Sequence, residues 1–70
     1  MTETVRSKAI GERLRNLRGS RPQREIADAI GVTTMAISSY ERGDRVPNDE
    51  MKIALARYFD TSVEALFFAE

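Results

Sequence analysis

The chain has 70 residues, with 11 basic and 11 acidic side chains, and it contains neither histidine nor cysteine. This excludes disulfide staples, the usual zinc sites and the common acid–base and nucleophilic catalysts, so efficient helix packing must stabilise a chain that buries only about 60% of its unfolded surface. No apolar run reaches the ~18 residues a membrane span needs, and the opening MTETVRSKAIGE has no leader-like apolar stretch.

Hydrophobic spacing predicts an all-α fold, a compact bundle of five helices in one domain, with residues 1–6 loose. The first helix is expected from Ser7 to Arg18, with Ile10, Leu14 and Leu17 inward and arginines outward. Gly19 stops it, and GSRP makes a tight link. The second is expected from Pro22 to Ile30, with Ile26, Ala27 and Ile30 inward and Gly31 as its left-handed stop. The third starts after the N-cap Thr33 and ends at Gly43, with Ile37 and Tyr40 inward. The loop GDRVP follows. The fourth begins near the cap Asn48 and carries Met51, Leu55, Ala56 and Phe59 on one face. Thr61 and Glu64 read as a capping box for a short fifth helix, Ser62 to Phe68.

Charge is zero in total but divided. Residues 1–24 hold Arg6, Lys8, Arg13, Arg15, Arg18, Arg21 and Arg24 against Glu3 and Glu12, whereas Asp49, Glu50, Asp60, Glu64 and Glu70 dominate residues 46–70. Such asymmetry points to an anion-seeking side. Asp49 and Glu50 are adjacent but too few to hold a metal, and they suit the first turn of a helix. No metal, cofactor, catalytic residue or small-molecule ligand is expected.

The stretch VTTMAISSYERG carries the main functional pattern. Its outer face is Thr34, Met35, Ser38 and Ser39, without the Lys and Glu that usually solubilise an exposed helix. Two helices of about nine residues, joined by a short turn with Gly31, have helix-turn-helix spacing. Ala27 permits a close crossing, Gly31 makes the turn, and Ile37 fills the wedge. A recognition helix in a major groove must bring short or flexible side chains to base edges, and hydroxyls and a thioether meet that need.

From Ile10 to Phe67 the chain resembles the Cro/repressor-type, Xre-like helix-turn-helix regulators. The matching stretches are IGERLRNLR, QREIADAIGVTTMAISSYERG, RVP and LARYFDTSVEALF. The resemblance implies a five-helix DNA-binding domain, a dimer on an inverted-repeat operator and a cytoplasmic, nucleoid-associated location. It assigns base reading to Thr34, Met35 and Ser39, with Ser38 beside them. Gln23, Thr33 and Arg42 match backbone-gripping positions, and Arg24 and Arg45 join them as candidates. Arg18 and Glu41 match an interhelix ion pair. The chain departs from the pattern in a short GSRP link, in Pro22 where a capping Ser or Thr often stands, and in having no Arg, Asn or Gln at the base-reading positions. Consecutive Leu66, Phe67 and Phe68 cannot share one core: Val63, Leu66 and Phe67 are expected to pack on the fourth helix and leave Phe68 outward, and Ile53, Phe67 and Phe68 are the candidate homodimer contacts. The alternative function is a protein-interaction module, such as an antitoxin or adaptor on the same helical fold.

Overall fold

The computed structural model describes residues 2–68, with side chains described from Arg6 onward. Among these residues there are five helices and no strands: α1 (Thr2–Arg18), α2 (Gln23–Ile30), α3 (Thr34–Arg42), α4 (Asp49–Tyr58) and a single π-helical turn, α5 (Glu64–Phe68). The first helix starts at Thr2, not Ser7, so residues 2–6 are helical where a loose end was expected. No Pro or Gly interrupts Thr2–Ile10, and helix once nucleated propagates through such a stretch.

The inward stripe of α1 also differs from the expected one. Ser7, Ile10, Gly11 and Leu14 are buried, and the stripe continues to the half-buried Arg18. Leu17 lies off that stripe and is substantially exposed. The core joins Ile10 and Leu14 to Ile26 and Ala27 of α2, Ala36, Ile37 and Tyr40 of α3, Leu55 and Ala56 of α4, and Leu66 and Phe67 of α5. Among the described residues, no buried side-chain nitrogen or oxygen lacks a hydrogen-bond partner.

Helix ends follow local chemistry. Thr33 Oγ1 accepts from the Ala36 amide at 3.1 Å, and Asn48 Oδ1 accepts from the Met51 amide at 2.9 Å. Gly31 (φ 76°) and Gly43 (φ 80°) close α2 and α3 in the left-handed region, which costs other residues a steric penalty. Asp60, at φ 55°, does the same after α4. The end of the chain departs from expectation. Ser62, not Thr61, caps α5, its Oγ accepting from the Ala65 amide at 3.0 Å. Phe67 is 1% exposed, which removes it from the candidate dimer contacts. Phe68, 52% exposed, and Ile53 remain outside the core.

The tightest approach is between α1 and the carbonyl end of α3. A Cβ on Gly11 would sit 2.7 Å from the Tyr40 carbonyl oxygen and closer still to that of Glu41, and one on Gly43 would sit 3.0 Å from Lys8 Cα. Backbone lies on both sides of the Gly11 contact, so no side chain can swing away to make room. Gly11→Ala is therefore expected to destabilise the domain by about 3 kcal/mol, the upper range for overpacking. Urea unfolding followed by circular dichroism checks this; an unchanged midpoint would refute the close packing.

Candidate nucleic-acid interface

Helix α3 presents two unlike faces. Ala36, Ile37 and Tyr40 are buried, while Thr34, Met35 and Arg42 are exposed and Ser38 is half-exposed. Met35 reaches 76% exposure, a large apolar side chain held in solvent at the start of the helix. Ser39 departs from its expected role. It is 9% exposed, because the helical period carries it toward the side that holds Ala36 and Tyr40. The outward stripe is thus Thr34, Met35, Ser38 and Arg42.

The joint beneath this stripe is built as its spacing requires. Ala27 and Ile37 are buried at the crossing of α2 and α3. Nothing lies within 4 Å of a Cβ placed on Gly31, so its positive φ alone demands glycine. The expected ion pair is present despite the short GSRP link. Arg18 Nε donates to Glu41 Oε2 at 2.6 Å and Nη2 donates to Oε1 at 3.0 Å, a bidentate fork. Hydrogen bonding to that carboxylate raises the Arg18 pKa above its ordinary value, so the guanidinium stays charged. Gln23 Nε2 donates to the same Oε1 at 3.0 Å. Glu41, with a side chain 6% exposed, therefore ties α1 and the start of α2 to the last turn of α3.

The remaining backbone-gripping candidates ring the stripe. Thr33 is exposed beyond its capping bond. Arg24 makes only a loose contact with Asp28 at 3.7 Å, on the α2 surface. The Arg45 guanidinium lies 5.7 Å from the Tyr40 ring centroid, stacked and exposed. At the start of α2, Pro22 supplies no side-chain cap, and the Glu25 carboxylate accepts from Tyr58 Oη at 2.9 Å instead of reaching back. That hydrogen bond favours the neutral phenol and raises the Tyr58 pKa.

Two features escaped the sequence pattern. One is Gly11, whose lack of a side chain is meaningful only once α3 lies across it. The other is Arg21, one of the cations of the basic first third. It closes α1 instead: Nη2 donates to the Leu17 carbonyl at 2.7 Å and Nε to that of Arg18 at 3.2 Å, with the guanidinium over the rings of Tyr58 and Phe59. Arg13 likewise donates to the Leu66 carbonyl at 3.0 Å.

A helix-turn-helix whose second helix turns Thr34, Met35, Ser38 and Arg42 outward has the architecture of a DNA-binding class of domain. The helix-turn-helix family model matches residues 12–66, and the chain belongs to this Cro/C1-type, Xre-like family of DNA-binding regulators. No curated protein matches the chain, and neither does any solved structure. No helix among the described residues is long and apolar enough to cross a membrane.

The Glu41 hub generates a stability prediction. Arg18→Met leaves a nearly buried carboxylate without its charged partner and should cost about 2–3 kcal/mol, between the exposed and fully buried cases. The double variant Arg18→Met/Glu41→Leu should cost far less than the two single changes summed. Chemical denaturation of the four proteins measures the coupling, and simple additivity would contradict the hub.

Proposed function

We propose that this domain is a sequence-specific regulator of double-stranded DNA, with α3 lying in the major groove. The observation that carries this reading is the two-faced α3: Ala36, Ile37 and Tyr40 anchor it in the core, and Thr34, Met35 and Ser38 project from it without charge. In that pose the hydroxyls of Thr34 and Ser38 reach base edges as donors or acceptors, and Met35 meets a thymine methyl. Ser39, buried, has at most a supporting place.

Phosphates are met around the rim. The uncapped first turn of α2 offers backbone amides to an anion, and Gln23 stands there with one amide hydrogen on Glu41 and the other unassigned. Thr33, Arg24 and Arg45 complete the backbone contacts. Binding follows counterion release and weakens as salt rises, with a slope near 0.9 per phosphate neutralised. A protein-interaction module would instead bind random duplex weakly at every salt concentration, so the slope separates the two functions.

Two copies are needed to read an inverted repeat. The exposed apolar side chains Ile53 and Phe68 supply a dimer contact, joined by Val46, which lines one open cavity of about 320 Å³ with Phe68. A twofold axis through this face would set two recognition helices about 34 Å apart, one turn of DNA.

Two outcomes test these assignments. Thr34→Ala or Met35→Ala should change base preference at a fixed position, by up to about 1–3 kcal/mol per good contact, whereas Gln23→Ala should weaken every duplex alike and, because glutamine carries no charge, leave the salt slope unchanged. Competition binding on a duplex library, with titrations at several salt concentrations, distinguishes them. Sedimentation across micromolar concentrations should show wild type associating more than Phe68→Ser. A wild-type protein that stays monomeric and binds operator as a single copy would sink the dimer.

A further inference from the structure

The expected base-reading positions hold no long polar side chain, but the fold brings one to them from the end of the helix. Arg42 occupies the last turn of α3. Its guanidinium folds back along the helix, where Nη1 donates to Ser38 Oγ at 3.0 Å, one turn earlier. On its other side Nε donates to Asp44 Oδ2 at 2.9 Å. A guanidinium has five N–H donors, and these bonds use two. One donor on Nη1 and both on Nη2 remain, enough to form a fork from Nη1 and Nη2. That fork matches the paired O6 and N7 acceptors of guanine in the major groove.

The geometry points to Arg42 as a guanine-reading residue, with Ser38 and Asp44 as the side chains that position it; this rests on α3 lying in the major groove. The competing role is the backbone grip expected from its place in the family pattern. Asp44 decides between them. A carboxylate 2.9 Å from the guanidinium offsets the positive charge a phosphate would seek and repels the phosphate directly. Guanine O6 and N7 are uncharged acceptors, for which direction matters more than net charge. The pair is too exposed to stabilise the domain much, with both side chains 60% accessible, so orientation is what it contributes. Ser38 shares in this: its oxygen accepts from Arg42, and its own hydrogen stays available to a neighbouring base.

Duplexes selected from a random pool by wild-type protein provide the test. Each half-site should contain one required guanine, at which adenine costs roughly 10- to 100-fold in affinity. Replacing that guanine by 7-deazaguanine, which lacks the N7 acceptor, should weaken wild-type binding without altering the protein. Arg42→Lys keeps the charge and loses the fork, so discrimination at that position should collapse to a few-fold while the salt slope is retained. Asp44→Asn should lower the same discrimination and raise affinity for random duplex. A uniform loss across all sequences in Arg42→Lys, no change in preference, or a selected site without a required guanine would overturn the assignment. Failure of wild type to bind any duplex at low salt would instead remove the major-groove docking on which it rests.

Discussion

One carboxylate fixes where α3 points. Glu41 sits in the last turn of α3 with little access to solvent. A charge there is costly unless it is paired and fully hydrogen-bonded. Arg18 from α1 meets both oxygens, and Gln23 from α2 meets one of them again. Three helices must therefore hold one mutual arrangement for the charge to be tolerated. Gly11 lies beneath the carbonyl of the same residue and sets how near α1 can come. The side chain of Glu41 thus fixes direction while its backbone fixes distance.

The arginines illustrate why net charge and charge pattern describe different things. A basic first third looks like an electrostatic footprint, yet three of its members turn inward in function. Arg13 and Arg21 satisfy backbone carbonyls, and Arg18 answers Glu41. Arginine suits this work because its planar donors meet several acceptors at once and its stem covers apolar surface. The cations left near the outward stripe are fewer, and Asp28 and Asp44 lie beside two of them.

What could be read from the sequence was mostly local. The caps Thr33 and Asn48, the stops Gly31 and Gly43, and the apolar period of α2 and α3 are all encoded within a few residues. The Arg18–Glu41 pair was legible from the family resemblance. Burial that depends on how helices cross was harder. Ser39 looked like a surface serine because the sequence does not say how far α3 is rolled toward the core. Leu17 looked inward because Leu outranks Arg in any hydrophobic scale, but the buried stripe of α1 runs through Gly11 to Arg18. Ser62 displaced Thr61 as a cap by a single position, a choice between neighbouring hydroxyls that the sequence alone leaves open. Phe67 and Phe68 are identical residues whose fates differ by one step of the helical turn.

The hydrogen bond from Arg13 to the Leu66 carbonyl joins positions 53 residues apart, and α5 covers the same helix. This has a consequence for how the domain is made. As the chain leaves the ribosome, Ile10 and Leu14 emerge well before the Leu66 and Phe67 side chains that complete their core. At 5–20 residues per second the apolar stripe of α1 waits roughly 3–10 s for its cover. Helices α2 and α3 can shelter it in part during that interval. Closure of the core thus waits for α5, and α1 and α3 do not rest on a complete core until Leu66 and Phe67 have been made.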